Sequence, residues 1–503
     1  MRRIIKLLSL LLIIACSGCV KDVNPSDAIT TANLTTTSAG LTDALNGAYA
    51  LLKDHIEFAG STDDNNMYLR QYFECSDFAS DDIVCGQTTT DPLFYSFSLD
   101  HTATQPNTRY FWYVSYKIIN DANTVISAME ANPSSDPTTQ QLLGECYFLR
   151  AFAHFNLAKF FAMPYTESPS GAGIILRTSV TDPASKARAT VAEVYQSVIA
   201  DAVKGASLMN ASRGVTYATK EAAWALLSRA YLYEGNNDST IYYSNQVINS
   251  GKFALTTAAT YPSLFANAAS GSETILCVAF TTLDDYGKFG SIASMIYSDG
   301  NSGWGEEYAS PSLRDTMSAH PEDVRWSYIV PDTVNGVLQT KNGIEMYYIS
   351  KFSYQGGSPT LSSPILFRLA EMYLNRAEAE AKAGQGAAAL DDVDMIRKNR
   401  GLQASLYNEV VPGGYTALDL VLKERRIELA FEGHRTFDVY RNKLSMNRTY
   451  WGYHLPGLQA SDINLAVNPT GYANMIIQPT DPRIIYYIPI DEINTNPLCT
   501  QNP

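Results

Sequence analysis

Apolar residues recur at helical spacing in several stretches of the chain. In residues 220–250, Ala222, Ala223, Leu226, Leu227, Ala230 and Tyr231 fall on one face; Gly235 ends the run, and residues 241–248 begin a second. Residues 363–400 repeat the design: Leu366, Leu369, Ala370, Tyr373, Ala377 and Ala381 line a face, Gly384 stops it, and residues 387–396 follow. The same spacing predicts helices over residues 41–53, 140–161, 191–208 and 417–431.

Small residues at these positions let antiparallel helices approach closely, as in tetratricopeptide-like hairpins. The reading is therefore a mainly α-helical scaffold. Residues 60–113 and 256–362 have a different texture, rich in Gly, Ser, Asp, Thr and aromatics with little helical period. They are expected to be long loops carrying short strands, and loops of this length in a folded body are usually functional.

The N-terminus changes the picture. Arg2, Arg3 and Lys6 precede a short apolar run over residues 7–15, the layout of a secretory signal peptide. The run ends at cysteines. Cys16 follows Ile13-Ile14-Ala15 and Cys19 follows Ser17-Gly18, so either is a candidate lipid-anchored first residue, and the choice stays open. Residues 1–19 are thus expected to be the leader and anchor, and residues 20–38, rich in Thr, Ser, Asn and Asp, a flexible tether. Residues 39–503 are expected to form one body, with an N-terminal part to about 235 and a C-terminal part from about 236. The other five cysteines are scattered; Cys75 and Cys85 are placed to pair, or all five are buried thiols.

Composition narrows the partners. Hydrophobic residues make up 46% and charged residues 17%, an ordinary globular balance. A formal net charge of -14 repels phosphate backbones, so nucleic acid is not an expected partner.

Five ordered motifs then carry a resemblance. Residues 144–152 (GECYFLRAF), 222–232 (AAWALLSRAYL), 368–379 (RLAEMYLNRAEA), 424–435 (ERRIELAFEGHR, with Phe437-Asp438) and the ending 488–497 (IPIDEINTNP) with 501–503 (QNP) resemble the SusD/RagB family of outer-membrane nutrient-binding lipoproteins. Tyr487 stands where that family usually has Pro, and the chain stops at Pro503 without the common Gly-Tyr. Trp112, Tyr116 and Asn123 resemble a further helix of the family and are read as core. The resemblance implies a SusD-like α-helical fold, a lipid-anchored and surface-exposed place at the cell outer membrane, and a SusC-like TonB-dependent transporter as partner. It also implies that oligosaccharides are captured and delivered without catalysis. The alternatives are a structural adaptor or peptide-binding lid of that transporter; a glycoside hydrolase is disfavoured.

Glu424, Glu428 and Glu432 lie one helical turn apart beside Arg425, Arg426, His434 and Arg435. With one histidine and three arginines the run suits a buried ion-pair network better than a metal or acid/base site. No GxSxG, phosphate-binding loop, GxGxxG after a strand or HExxH occurs, so no catalytic residue, resident metal or cofactor is assigned. The adjacent acids Asp81-Asp82 suit water, a hydroxylated ligand or a calcium ion, and nothing in their spacing singles out calcium. Sugars stack their apolar C–H faces on aromatic rings while carboxylates and amides take the hydroxyls. On that basis the expected ligand residues are Trp304, Tyr308, Tyr297 and Tyr286 from the loop over 286–308, and Asp81, Asp82, Tyr95 and Tyr110 from the loop over 77–113. Trp304 leads, because a tryptophan within Gly300-Asn301-Ser302-Gly303-Trp304-Gly305 is hard to bury.

Overall fold

The computed structural model describes residues 37–503 apart from 88–90, 92, 456–463, 465 and 468–470. The expected leader, both candidate anchor cysteines and nearly all of the tether lie outside the described residues. No helix among the described residues is long and apolar enough to cross a membrane.

Helices form the scaffold, the predicted ones and one over residues 68–77 besides. Those of ten residues or more are α1 (Ser38–Ala50), α2 (Tyr68–Asp77), α3 (Pro106–Ala131), α4 (Pro137–Phe161), α5 (Val191–Leu208), α6 (Lys220–Glu234), α7 (Asn237–Ile248), α8 (Leu369–Lys382), α9 (Gly386–Asn399) and α10 (Ala417–Glu428). Local chemistry sets their ends. Asp136 caps α4 ahead of Pro137, reciprocal Thr–Glu and Thr–Asp boxes open α5 (Thr190, Glu193) and α10 (Thr416, Asp419), and left-handed Gly235 closes α6. Each helix packs on the next from α3 through α9, and α10 packs on α8 and α9. At the α4–α5 contact, a Cβ on Gly144 would lie 2.9 Å from the Gly205 carbonyl, and one on Gly205 2.8 Å from the Gly144 carbonyl. Only hydrogen fits at that crossing.

The stack runs on through space where the chain interrupts it. Helix α7 packs against α8 although residues 249–368 intervene. That interruption holds the strands β2 (Thr274–Cys277), β3 (Glu307–Ala309) and β4 (Ile365–Arg368). Strand β4 pairs antiparallel with β2, while β3 pairs antiparallel with β1 (Ile83–Cys85), in the register Ile83–Ala309, Val84–Tyr308 and Cys85–Glu307. The two loop-rich regions are thereby stitched into one wall.

Two expectations of secondary structure are corrected. The helix expected from residue 363 begins at Leu369, because residues 365–368 are β4 and Arg368 turns into a buried charge cluster. Residues 68–77, expected as loop, form α2; Tyr68, Leu69, Tyr72 and Phe73 make its apolar face, and its polar face, with Arg70, Gln71, Glu74 and Asp77, is buried as well. Residues 329–349 hold two hairpins with left-handed Asn335-Gly336 and Asn342-Gly343 at their turns. The five described cysteines are buried free thiols, so Cys75 and Cys85 do not pair.

The glutamate-arginine run does form a buried ionic network, with partners other than its own neighbours. Glu428 meets Arg368, Arg400 and Arg325 at 2.6, 2.7 and 3.1 Å, and Glu432 meets Arg368 and Lys351, each at 2.7 Å. Arg425 pairs instead with Asp438, while Arg426 and Arg435 reach across to Asp82 and Asp81. The run ties α10 to β4, α9 and the loop after α2.

Candidate functional site

Four chain segments converge on an open cleft of about 380 Å³. The loop before α2 supplies Asp63, Asp64 and Asn65, α2 supplies Arg70, the loop after β1 supplies Gln87 and Asp91, and residues 289–306 supply Phe289, Trp304 and Glu306. Trp304 is 45% exposed and Phe289 52% exposed. Their ring centroids lie 5.5 Å apart at 48°, and the Lys288 ammonium lies 5.6 Å from the Trp304 ring centre.

The backbone around Trp304 explains why an exposed indole stays in place. Gly303 and Gly305 both have left-handed φ, +75° and +66°. A Cβ on Gly303 would fall 2.0 Å from the Tyr297 carbonyl oxygen, and one on Gly305 would fall 2.8 Å from the Tyr348 ring. The Trp304 and Gly305 N–H groups both donate to the Ser294 carbonyl, at 2.7 and 3.0 Å. Glycine lets this strand of backbone lie flat on its neighbours while the side chain stands out.

The lining is also acidic. Asp63, Asp64, Asp91 and Glu306 contribute to it; Glu306 accepts a hydrogen bond from Gln87 and lies 3.7 Å from the Lys341 ammonium. Burial pushes the Glu306 carboxyl above its ordinary value. Arg70 is already engaged, by Glu74 at 2.8 Å and by the Asp64 and Phe289 carbonyls. It ties the two sides of the cleft together, and its charge is spent on them.

Of the eight expected ligand residues, Trp304 lines this cleft and the others do not. Tyr308 and Tyr110 are buried, and their hydroxyls donate to the Gly305 and Asn66 carbonyls at 3.1 and 2.6 Å. Tyr297 is buried with its hydroxyl on Tyr354. Tyr286 is half-buried and stacks on His55 with centroids 3.8 Å apart. Tyr95 is half-buried in the short helix Phe94–Ser98. Asp81 and Asp82 are the largest correction: both are buried and bound by Arg435 and Arg426, each at 2.7 Å. Burial disfavours ionised Asp81, but the two arginines hold its carboxyl below the usual range. Asp81 and Asp82 therefore hold the fold together. Arg109, on α3, is paired with Asp491 at 2.7 Å, and Trp112 is buried as expected.

The residues missed were Asp63, Asp64 and Asn65, Gln87, Asp91 and Phe289. The Asp63-Asp64-Asn65-Asn66 run is a visible cluster of hydroxyl-binding side chains, and it carries no periodic pattern to mark it.

Behind Glu306, Glu307 is fully buried on β3, with no cation paired to it and one carboxylate oxygen without a hydrogen-bond partner among the described residues. Burial, reinforced by Glu306 and Glu74, pushes its carboxyl well above the model-compound value of 4.5. The folded chain therefore holds a proton that the unfolded chain releases. The resulting stability is complete below about pH 4.5 and is lost as pH rises through the folded value. Glu307→Gln is expected to raise the melting temperature by several degrees at about pH 8, with the gain closing toward pH 4.5. An equal gain at both pH values would show that Glu307 is not protonated in the fold.

Comparison with known proteins places the chain. Residues 294–503 match the family model described as the SusD family. Residues 27–232 match a second one, described as starch-binding and associating with the outer membrane. The chain belongs to the SusD/RagB family. SusD-like protein P38 of Formosa agariphila is 26% identical over 76% of this chain and 84% of its own length. SusD-like protein P2 of the same organism is 27% identical over 66% of this chain and 71% of its own. A SusD superfamily protein from Bacteroides thetaiotaomicron VPI-5482 superposes with a TM-score of 0.80 at 28% identity, covering 92% of this chain and 99% of that one. A SusD superfamily protein from Bacteroides vulgatus ATCC 8482 gives 0.76 at 25% identity, over 92% and 98%. The mainly α-helical SusD fold expected from the motifs is the fold observed.

Proposed function

We propose that this SusD/RagB protein is a lipid-anchored, surface-exposed outer-membrane lipoprotein that binds oligosaccharides in the Trp304 cleft. It hands them to a SusC-like TonB-dependent transporter and acts by binding, not by catalysis. The observation that carries the reading is the glycine-held, exposed Trp304 sharing one cleft with four carboxylates. An indole face receives the apolar C–H face of a pyranose, and carboxylates, which only accept, take its hydroxyl protons. The cleft's size falls in the range of about 300–1,000 Å³ usual for ligand pockets. The matched family description, starch-binding and associating with the outer membrane, supports both the ligand class and the location.

Charge narrows the ligand further. Four carboxylates line the cleft, and its arginine is already committed. A uronic-acid or sulfated glycan would meet like charge at close range. The fitting ligand is a neutral oligosaccharide.

Delivery is tested by isolating the native protein from gently solubilised outer membranes. A large TonB-dependent barrel is expected in near-equal amount. Recovery of the lipoprotein alone would overturn the transporter half of the reading and leave the binding half to calorimetry.

A further inference from the structure

A second cleft, of about 460 Å³, lies on the helical scaffold where the end of α5 meets α6 and α7. Trp224 of α6 lines it. Its neighbours Ala222, Ala223 and Ala225 are fully buried in the helix stack, as the apolar period requires. Trp224 is half-buried, packed on the main core on one side and lining the cleft on the other. No acceptor for its indole N–H occurs among the described residues, and the group is not sealed from solvent.

The surrounding side chains are carboxamides. Gln246 and Asn249, on and just after α7, line the cleft with no side-chain hydrogen bond among the described residues. Asn245 accepts from Arg376 at 2.5 Å, which leaves its NH2 as a donor. The two lysines at the cleft are held, Lys220 by Asn210 and Lys252 by Glu221 at 2.8 Å. The result is a flat indole with an open donor, ringed by groups that both donate and accept.

We propose that the Trp224 cleft is a second binding site for a neutral oligosaccharide, separate from the Trp304 cleft. A sugar hydroxyl both donates and accepts, and a carboxamide offers both functions on one rigid plane. The indole supplies the stacking face. A protein partner would favour an apolar centre depleted of such groups, and a polyanion would meet the Glu221 carboxylate, which offsets Lys252 and leaves Lys220 as the one uncompensated cation of the pair. The volume again lies in the range of about 300–1,000 Å³ for ligand pockets.

The test uses the full mature protein carrying Trp304→Ala, so that the first cleft is disabled. Maltohexaose, cellohexaose, xylohexaose, laminarihexaose and mannohexaose are titrated while tryptophan fluorescence is followed. At least one is expected to give a saturable change. Adding Trp224→Ala is expected to weaken that binding by about tenfold. The paired Gln246→Ala and Asn249→Ala substitutions, which leave the core untouched, are expected to weaken it in the same direction should Trp224→Ala fail to fold. The proposal falls if none of the five sugars binds the Trp304→Ala protein, or if the residual binding ignores both sets of changes. It also falls if those changes spare the sugar and instead abolish recovery of the barrel, which would make the face a protein interface.

Discussion

Replacing Arg368 by methionine is expected to lower stability by about 3–5 kcal/mol, the usual cost of breaking a buried ion pair from one side. Arg368 is 1% exposed and reaches three carboxylates, Glu273, Glu428 and Glu432, at 2.7, 2.6 and 2.7 Å. Burial works against ionised Glu428, yet Arg400, Arg368 and Arg325 hold its carboxyl well below the ordinary value. Methionine matches the length of the arginine stem but leaves those acids crowded around fewer cations. Adding Glu428→Gln to Arg368→Met is expected to recover part of the loss, because the two changes share one network. Chemical denaturation of the unaltered protein and the two variants measures both numbers. A loss below about 1 kcal/mol, the value of a surface pair, would mean that the network orders the fold without stabilising it.

Trp304→Ala is expected to weaken binding of the cognate neutral glycan at least tenfold and to leave the melting temperature almost unchanged. Aromatic stacking platforms contribute about 1–3 kcal/mol per stacked base in nucleic-acid sites, and about 1.4 kcal/mol is a factor of ten. A core tryptophan would instead cost about 3–5 kcal/mol of stability on truncation, and Trp304, at 45% exposed, is not one. Calorimetric titration and a melting curve on the same variant separate the two. In the same titration a uronic-acid oligomer of matched length is expected to bind far more weakly than the neutral one, and more strongly as salt is raised. Unchanged affinity on truncation would remove Trp304 from the site. Equal affinity for the charged oligomer would remove the carboxylates from the recognition argument.

Both predictions rest on residues whose type was visible in the sequence and whose surroundings were not. Trp304 stood out because Gly and Ser on either side cannot bury an indole. Asp81 and Asp82 stood out for the same local reason, as adjacent acids in a long loop, and that reason misled. Their arginines, Arg426 and Arg435, come from the far end of the chain and fold back onto them. The tyrosines failed alike: Tyr110, Tyr297 and Tyr308 are loop-region aromatics by sequence and core residues in space.

The sequence by itself determined the helical hairpins, because a helix buried on one face writes its period of 3.6 into the chain. It also determined the family, through motifs whose order runs from residue 144 to the end. It held the two Asn-Gly turns of residues 329–349 as well, a local hairpin signal within a segment read as long loops carrying short strands. Only the tertiary structure decided what covers the polar face of α2, which is buried along with its apolar one, and the partners of each buried charge. The cleft too was decided there. Gln87 and Glu306 stand 219 positions apart and touch, as do Arg70 and the Phe289 carbonyl. Periodicity reports which face of a segment is covered; it carries no information about what covers it, and a binding site is made of such coverings.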